Sequence, residues 1–477
     1  MNFAPFFITD NAAVNKAYRL AIADLQANIL PFKDGILESE KPVIIAGLGY
    51  STPWTRDSAI NTWNAGGIIC PEVSLNSLKS VLEKNEKGYF ITGDYWDRII
   101  WTIGAWKQYV YTGDTEFLKI AYNAVTNSLE YFEETEFNEE LNLFRGPACY
   151  GDGVAAYPDI YAKHKQSNIL GFAKHCRELC VEKGVGIPMY TLSTNCLYYY
   201  AYVLADKMAA ELHIPADFSE KAENMKNAIN DVFWSSEKGT YTYIYDDFGG
   251  CDSQEGMGLS FAILFDVADE EKKRSILANH HTTLHGLPCV YPSFSRYDSP
   301  DGQDFGRHSG TVWPQVQGFW ASAVASCKDG VLFDKEFAAQ TANALRSLQF
   351  SEIYHPLTGE PYGGRQENYG VAITDWKSMP HQTWSATAYL RNVYMDLIGM
   401  DFRLDGIAFN PVDSNLVNKR LLKGLRYRNA VLNISVIGKG EKIKTFSVNG
   451  KQTNPFIGAD ESGELNIEII LEKGSAD

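Results

Sequence analysis

The segment Tyr50-Ser-Thr-Pro-Trp54-Thr-Arg56-Asp57-Ser-Ala-Ile places an aromatic ring beside an arginine and a carboxylate. This combination suits a sugar, because a pyranose has an apolar face on which Trp54 can stack. Its hydroxyl groups can form charge-assisted hydrogen bonds with Arg56 and Asp57. The alternative interpretation is a plain helix start, in which a carboxylate in the first turn interacts favourably with the helix dipole.

Two further carboxylates lie in segments that are rich in glycine and aromatic residues. Asp152 lies between glycines in Cys149-Tyr-Gly-Asp-Gly, where the backbone can approach a ligand closely. Glu352 lies in Ser351-Glu-Ile-Tyr-His-Pro-Leu-Thr-Gly359. Cleavage of a glycosidic bond needs one carboxyl that protonates the leaving oxygen and a second that activates water or attacks directly. The sequence therefore contains candidates for both groups.

These segments resemble those of six-hairpin glycosidases. Residues 54–59 are similar to the segment with which the glucoamylase family grips the non-reducing terminal sugar. Residues 144–159 resemble the general-acid loop of the trehalase and processing α-glucosidase I families. Residues 351–364 are similar to the segment that carries the general base in α-glucosidase I relatives, and Trp313-Pro and Gln382-Thr-Trp384-Ser-Ala resemble further segments of that family.

The resemblance implies that Asp152 is the general acid and that Glu352 is the general base. We expect an aromatic pocket to raise the pKa of Asp152 so that it stays protonated. We also expect about 6.5–9.5 Å between the two carboxyls, which leaves space for a water molecule. An insertion at residues 365–380 departs from the family pattern, so Glu360 or Glu367 stays open as the base, and Asp159 or Glu255 stays open as the acid.

Apolar residues recur at three- and four-residue spacing from Asn11 to Gly399, which predicts a helical domain. The even-numbered helices are the more apolar and aromatic ones, so we predict that they form an inner ring. Twelve helices match an (α/α)6 toroid, and we place them at approximately 11–30, 56–66, 71–85, 95–112, 115–135, 191–212, 216–234, 255–267, 270–280, 311–328, 334–350 and 381–399.

In such a toroid the loops before the inner helices gather at one end. We predict that the inner helices begin at or near Asp57, Tyr95, Thr191, Glu255, Thr311 and His381, and that these ends converge on one pocket. The long loops 137–188 and 351–380 lie on this face, and loops of that length are usually functional. The predicted substrate-binding residues lie in or beside the loops: Trp54, Arg56, Asp57, Trp96, Asp97, His308, Trp313, Tyr354 and Trp384.

After Asp401 the apolar pattern changes to period two, in residues 430–437, 442–448 and 465–471, with turns such as Asn449-Gly450. The predicted fold class is therefore an all-α (α/α)6 toroid, residues 1–402, with a small C-terminal β-sandwich domain, residues 403–477. We expect the β domain to cap the toroid.

The net charge of -16 comes without a basic block, which argues against a nucleic-acid partner and favours a neutral or cationic ligand. Apolar runs such as residues 192–204 are too short and too rich in tyrosine to span a bilayer, so we expect no membrane association. Residues 1–7 lack the basic region of a signal peptide. We therefore expect a soluble protein that is cytoplasmic, or periplasmic if a signal peptide has been removed.

The eight cysteines are scattered, without the repeated CxxC pairs of a zinc site or the density of a disulfide framework. We expect free thiols, no metal and no cofactor. The only expected partner is an oligosaccharide or glycoside substrate, and the pattern makes no prediction of oligomeric state.

The leading functional hypothesis is an inverting, exo-acting glycoside hydrolase for an α-glucoside-like terminal sugar. A second hypothesis is an isomerase that resembles the N-acylglucosamine 2-epimerases, which use the same toroid. Such an enzyme abstracts a proton next to a carbonyl with histidines near neutral pH. The candidates are His281, His308 and His381. A third hypothesis is a non-catalytic sugar-binding relative, which the insertion at 365–380 keeps open.

Overall fold

A computed structural model describes residues 4–94, 96–164 and 166–472. Twelve principal helices in these ranges, labelled α1 to α12 in chain order, lie close to the predicted positions. They span Ala12–Ala27, Thr55–Asn61, Pro71–Ser80, Asp97–Thr112, Thr115–Thr135, Leu192–Glu211, Ser219–Phe233, Gly256–Leu264, Glu270–Asn279, Pro314–Ser326, Gly330–Ser347 and Thr383–Arg391. Tyr95, one of the six predicted inner-helix starts, lies outside the described residues, and α4 is described from Asp97.

Shorter helical segments flank some of these helices. Helix α2 continues as a π-helical turn and a short helix, and α12 continues as a π-helical segment, at Thr62–Gly66, Gly67–Ile69 and Asn392–Leu397. Short α-helices and 3-10 turns occupy the loops at Val154–Ala156, Asp159–Ala162, Leu170–His175, Arg177–Leu179 and Ser295–Tyr297.

The six even-numbered helices pack in a cyclic order. Helix α2 contacts α4, and the contacts continue from α4 to α6, α8, α10 and α12, which contacts α2 again. The odd-numbered α1, α3, α5, α7 and α11 each pack against members of this ring. Aromatic rings meet across its centre, because Trp63 lies 4.5 Å from Phe319 and 6.1 Å from Phe261 between ring centroids.

The two sets of helices begin in different ways. Four odd-numbered helices have a side-chain N-cap, supplied by Asn11, Asp114, Asp269 and Asp329. Such caps satisfy backbone N–H groups that the first turn leaves unpaired. In the described chain no even-numbered helix has one, and their N-cap positions hold Trp54, Trp96, Thr191, Glu255, Trp313 and Gln382. Tertiary contacts therefore fix where the even-numbered helices begin.

The prediction of an all-α fold is wrong, because paired strands occur throughout the helical region. Long connections must satisfy their backbone N–H and C=O groups, and short antiparallel ladders do so. The two-stranded ladders pair Ile29–Phe32 with Lys41–Ile44, Leu82–Asn85 with Gly88–Ile91, Phe137–Asn138 with Leu143–Phe144, Met189–Thr191 with Ile244–Asp246, Trp234–Ser235 with Thr240–Tyr241, Gln254–Glu255 with Val290–Tyr291, and Arg365–Asn368 with Val371–Asp375.

The C-terminal region is rich in sheet, as the period-two pattern predicts. A six-stranded sheet contains β1 to β6 in the order β1-β2-β3-β6-β4-β5, with β3 and β6 parallel. These strands span Phe6–Thr9, Lys419–Tyr427, Asn429–Ile437, Lys442–Val448, Lys451–Gln452 and Ser462–Glu472. A three-stranded sheet contains Met400–Phe402, Gly406–Phe409 and Phe456–Gly458.

The N-terminal strand β1 belongs to the C-terminal sheet, where it pairs with β2. One hydrophobic core cluster extends from Phe7 through the ring helices to Leu471. The division into residues 1–402 and 403–477 stays a prediction.

All eight cysteines are free thiols. No helix in the described ranges is long and apolar enough to cross a membrane.

The long loop between α5 and α6 is fixed to the ring through Asn195 of α6. The Asn195 side chain accepts a hydrogen bond from the backbone N–H of Phe144 (2.9 Å) and donates one to its carbonyl oxygen (3.1 Å). The ring of Phe144 stacks on that of Tyr198, with centroids 3.7 Å apart. These contacts hold the start of the loop against the inner helix.

Replacement of Asn195 by alanine should destabilise the protein by about 2–4 kcal/mol, because it leaves buried backbone groups of Phe144 unpaired. Urea unfolding followed by circular dichroism measures this loss. The exposed Asn224→Ala is a matched control that should change the unfolding free energy by less than about 0.5 kcal/mol. Equal losses in the two variants would contradict the anchoring role of Asn195.

Candidate active site

A cavity of about 320 Å³ lies where α2, α4, α10 and α12 begin, whereas Thr191 and Glu255 at the starts of α6 and α8 are outside its lining. Its walls come from the starts of α2, α4 and α12, from the segment before α10, and from the two long loops. Nine of the eleven predicted site residues line it: Trp54, Arg56, Asp57, Asp97, Asp152, His308, Trp313, Glu352 and Trp384. Residues from five different parts of the sequence thus converge on one site.

The other two predicted site residues lie in the protein core. Trp96 is fully buried and packs in the main hydrophobic cluster. Tyr354 is also buried, and its hydroxyl accepts the N–H of Ser351 (2.9 Å) and donates to the carbonyl of Gln349 (3.1 Å). Neither residue lines the cavity, so a role for these two residues in substrate binding stays a prediction without support from this geometry.

The guanidinium of Arg56 lies among the carboxylates of the cavity. Its Nε is 3.7 Å from Asp97, its Nη2 is 3.8 Å from Asp152, and its Nη1 donates to the carbonyl of Cys149 (2.9 Å). It also lies over the ring of Trp384, 5.5 Å from the centroid. Arg56 therefore connects α2 to α4, to the long loop and to α12.

Asp57 and Asp97 lie in the first turns of α2 and α4 and are both buried. Burial raises the pKa of each carboxyl to about 7, while the guanidinium of Arg56 opposes this effect. Near neutral pH each group can therefore accept a hydrogen bond as a carboxylate or donate one as an acid. Both forms suit sugar hydroxyls.

Asp152 is the most accessible of these carboxyls, with 43% of its side chain exposed. Its Oδ1 lies 3.3 Å from Nε2 of His308. Burial tends to raise the pKa of Asp152, but the hydrogen bond with His308 and the charge of Arg56 hold it well below its usual range. The prediction of a raised pKa is therefore wrong, because cationic groups rather than aromatic rings face this carboxyl.

Glu352 is buried and held from three directions. Its Oε2 lies 2.8 Å from Nη2 of Arg307 and accepts the N–H of Met379 (3.3 Å), and its Oε1 accepts the hydroxyl of Tyr50 (3.1 Å). Arg307 also donates to the carbonyls of Gly363 (3.0 Å) and Lys377 (3.3 Å). The carboxylate therefore has one fixed orientation in the cavity wall.

Adjacent residues hold the two candidate catalytic carboxyls, since Arg307 pairs with Glu352 and His308 with Asp152. Consecutive Cα atoms are about 3.8 Å apart, so one short backbone segment relates the positions of the two carboxyls. The backbone of this segment is itself fixed, because Trp313 donates to the carbonyl of Arg307 (2.9 Å).

The alternative carboxyls lie outside the cavity lining. Asp159 is exposed and pairs with Arg296 (2.8 Å), and Glu360 is exposed and pairs with Arg346 (3.5 Å). Glu367 is buried against Arg296 and the hydroxyl of Tyr297. Glu255 is fully buried, accepts the N–H of Ser193 (3.0 Å), and has a pKa that burial raises to about 8.

The three histidines of the epimerase hypothesis do not converge within the described chain. His308 lines the cavity, whereas His281 stacks on Tyr291 with centroids 3.5 Å apart. His381 pairs with Asp24 (2.7 Å). Epimerisation with two histidines needs both beside one carbon, so the observed arrangement does not support it.

The aromatic residues of the cavity lie at two depths. Trp313 and Trp384 are buried and meet edge to face, with centroids 5.9 Å apart. Trp54 is 53% exposed and Tyr369, at the turn of the inserted hairpin, is 76% exposed. Trp54 therefore lies at the exposed mouth of the cavity, whereas Trp313 and Trp384 form its buried part.

Several lining residues are absent from the sequence-based prediction. They include Tyr50, Asp94, Arg307, Gln366, Tyr369 and Trp376. Tyr50 belongs to the same segment as Arg56, and Asp94 lies three residues before Asp97, so proximity in sequence to these two predicted residues is a usable signal. Gln366, Tyr369 and Trp376 come from the insertion, which therefore completes the cavity wall.

Residues 99–385, more than half of the chain, match the family model described as the mannosylglycerate hydrolase MGH1-like glycoside hydrolase domain. No curated protein matches the sequence significantly. A family 63 mannosylglycerate hydrolase from Thermus thermophilus, solved with glucose, is similar in structure, with a TM-score of 0.57 and 15% identity over 79% of this chain and 100% of that one.

Two longer proteins share the fold. A sialidase has a TM-score of 0.66 and 14% identity, and the match covers 94% of this chain and 40% of that chain. A family 78 rhamnosidase from a Bacillus species has a TM-score of 0.61 and 14% identity, over 99% of this chain and 44% of that chain. The chain thus spans less than half the length of these two proteins.

The buried pair of Arg307 and Glu352 allows a stability test. Arg307→Met should cost about 3–5 kcal/mol, because it leaves the Glu352 carboxylate buried without its cation. The double variant Arg307→Met with Glu352→Gln should recover part of this loss in urea unfolding. The exposed pair gives the matched control, since Arg346→Met should cost about 1 kcal/mol or less. A double variant no more stable than Arg307→Met would contradict the coupling.

Proposed function

We propose, on the basis that this chain belongs to the family of mannosylglycerate hydrolase MGH1-like glycoside hydrolases, that it is an inverting, exo-acting hydrolase of α-glucoside-like terminal sugars. The observation that carries the proposal is one cavity with two carboxyls from different loops, Asp152 and Glu352. We further infer that the cyclic set of even-numbered helices is the inner ring of an (α/α)6 toroid.

In the proposed reaction Asp152 donates a proton to the glycosidic oxygen as the bond from that oxygen to the anomeric carbon breaks. Glu352 removes a proton from a water molecule, whose oxygen attacks the anomeric carbon from the opposite face. The sugar leaves with inverted anomeric configuration, Asp152 is left ionised, and Glu352 is left protonated. Tyr50 and Arg307 hold Glu352 in the orientation that this step needs.

The deep end of the cavity suits the terminal sugar. Arg56, Asp57 and Asp97 supply charged and polar groups there, and Trp384 supplies an apolar face. Hydrogen bonds to charged groups contribute about 1.5–3 kcal/mol each. Because these side chains close the deep end, a sugar chain that continued beyond the terminal residue would collide with them. This arrangement supports exo action.

The mouth of the cavity suits a neutral leaving group. Trp54 and Tyr369 expose large parts of their rings there, which favours stacking on a sugar or aryl ring. The described lining contains five carboxyls and two guanidinium groups, and both guanidinium groups lie within 4 Å of carboxylates. An anionic leaving group would meet an excess of negative charge.

The family description also suggests mannosylglycerate, which carries a carboxylate, as a second candidate substrate. We propose that neutral α-glucosides are preferred, because Arg56 and Arg307 are already engaged by Asp97, Asp152 and Glu352. Asp94 lines the same cavity, and its negative charge would repel the glycerate group.

A direct comparison of substrates tests this preference. We expect kcat/KM for a neutral aryl or disaccharide α-glucoside to exceed that for mannosylglycerate by at least about tenfold, since one uncompensated charge 4 Å away costs about 1 kcal/mol or more. Asp94→Asn should narrow the difference, and the exposed Asp460→Asn should not. A higher kcat/KM for mannosylglycerate would make it the favoured substrate.

Product stereochemistry tests the proposed mechanism. Proton NMR of the first-formed sugar should show the β-anomer from an α-glucoside. Asp152→Asn and Glu352→Gln should each lower kcat by about 10²–10⁴-fold. Asp159→Asn and Glu360→Gln are the matched controls on exposed carboxyls and should keep wild-type rates. Retention of configuration would exclude Glu352 as the base that activates water.

A further inference from the structure

We propose that Asp152 and His308 share one transferable proton, and that His308 holds the proton that Asp152 delivers to the leaving oxygen. This inference rests on the proposed role of Asp152 as the general acid. An acid catalyst must carry a proton, whereas the cations around Asp152 favour its ionised form. A second group beside Asp152 must therefore hold that proton.

The imidazole of His308 is fixed in place. It is buried, and its ring stacks on that of Trp313 with centroids 4.8 Å apart and an interplanar angle of 25°. Its Nε2 lies 3.3 Å from Oδ1 of Asp152, and its Nδ1 lies 3.3 Å from Oε1 of Gln366. Nε2 therefore lies within ion-pair distance of the proposed acid, Asp152, and Nδ1 faces the side chain of Gln366.

Donor and acceptor rules limit the protonation states of this arrangement. Oε1 of Gln366 can only accept, so Nδ1 carries a hydrogen. In one protonated state Nε2 carries no hydrogen and faces a protonated Asp152. In the other state the ring carries a hydrogen on both nitrogens and Asp152 is ionised. The two states differ only in the position of one proton between Nε2 and Oδ1. In both of these states the pair carries one proton that either group can hold, and a neutral His308 beside an ionised Asp152 is the state that has given it up.

The charges around the pair favour a shared proton over a protonated Asp152 alone. Burial tends to raise the pKa of Asp152, but the hydrogen bond with His308 and the charges of Arg56 and Arg307 lower it far more. Burial lowers the pKa of His308, and Asp152 opposes that effect only in part, so the pKa stays below its ordinary value and the pair holds its proton in the acidic range. The other charged groups that face the pair are acidic and favour retention of a proton: Asp57, Asp94, Asp97 and Glu352.

The proton balance of the proposed step is closed. The proton passes from Nε2 of His308 to the carboxyl of Asp152, and the carboxyl gives a proton to the glycosidic oxygen as the bond to the anomeric carbon breaks. His308 is then neutral and Asp152 ionised, while Glu352 holds the proton taken from water. Glu352 releases its proton to solvent and His308 takes one from solvent, which restores the starting state.

The pH dependence of kcat/KM follows from the protonation state in which the pair of Asp152 and His308 is active. The protonated pair is active, so kcat/KM should be full at low pH and should fall as pH rises through the pKa of the pair. In His308→Gln, Asp152 must hold the proton alone beside Arg56 and Arg307. The fall in kcat/KM should then move to lower pH by about one unit or more. If His308 only positions Asp152 through an N–H donor, the glutamine amide replaces that donor and the fall stays where it is.

Kinetics with two leaving groups and a control histidine complete this test. The loss in His308→Gln should be large for a poor leaving group such as an alkyl glucoside. It should nearly vanish for a dinitrophenyl glucoside, which needs little protonation. His381, which pairs with Asp24 outside the cavity lining, is the matched control, and His381→Asn should leave the pH profile unchanged. An unshifted profile in His308→Gln overturns the proposal.

A titration without substrate separates this inference from the proposed hydrolysis. NMR of the protein with ¹⁵N-labelled histidine follows the protonation of the His308 ring directly. In Asp152→Asn the pKa of His308 should fall by about one unit, because the ring loses its carboxylate partner. An unchanged His308 titration would refute proton sharing even in an active enzyme. Conversely, a coupled titration in a protein that cleaves no glycoside would overturn only the hydrolase proposal.

Discussion

One buried guanidinium, that of Arg56, lies within 4 Å of carboxylates from two separate elements, Asp97 of α4 and Asp152 of the long loop. It also donates to the carbonyl of Cys149 and lies over Trp384 of α12. Removal of such charges from water costs several kcal/mol per ion, and close pairing must offset that cost. Arg56 therefore ties the elements that close the helical ring to the elements that form the site.

Asp152 and Glu352 lie in the same cavity but differ in exposure and in the side chain that pairs with them. Arg307 and His308 are neighbours in the chain, yet one pairs with the buried Glu352 and the other with the partly exposed Asp152. One backbone segment can thus give the two carboxyls different surroundings, as the proposed acid and base roles require, without a contribution from the sugar. The insertion at residues 365–380 supports this arrangement, because the side chain of Gln366 contacts His308 and the backbone carbonyl of Lys377 accepts a hydrogen bond from Arg307.

Local patterns in the sequence predict the helices and the period-two strands well, because both depend on the spacing of apolar residues. They also predict that Arg56 and Glu352 share one site. Arg307 escapes prediction, since its role depends on a partner 45 positions away in sequence. The same limit explains the wrong pKa direction for Asp152. Trp96 and Tyr354 show a related limit, because an aromatic residue beside a motif can face the core as readily as the ligand.

The starts of the inner helices have a consequence for attempts to make the protein more heat-resistant. Four of their N-cap positions hold Trp54, Glu255, Trp313 and Gln382, and none of these four is a strong capping residue. Substitution by serine or aspartate would follow the usual route to a higher melting temperature, but three of these four positions line the cavity. Directed evolution for thermostability should therefore accumulate its gains on the outer helices and in the C-terminal sheet, and leave the inner starts as they are.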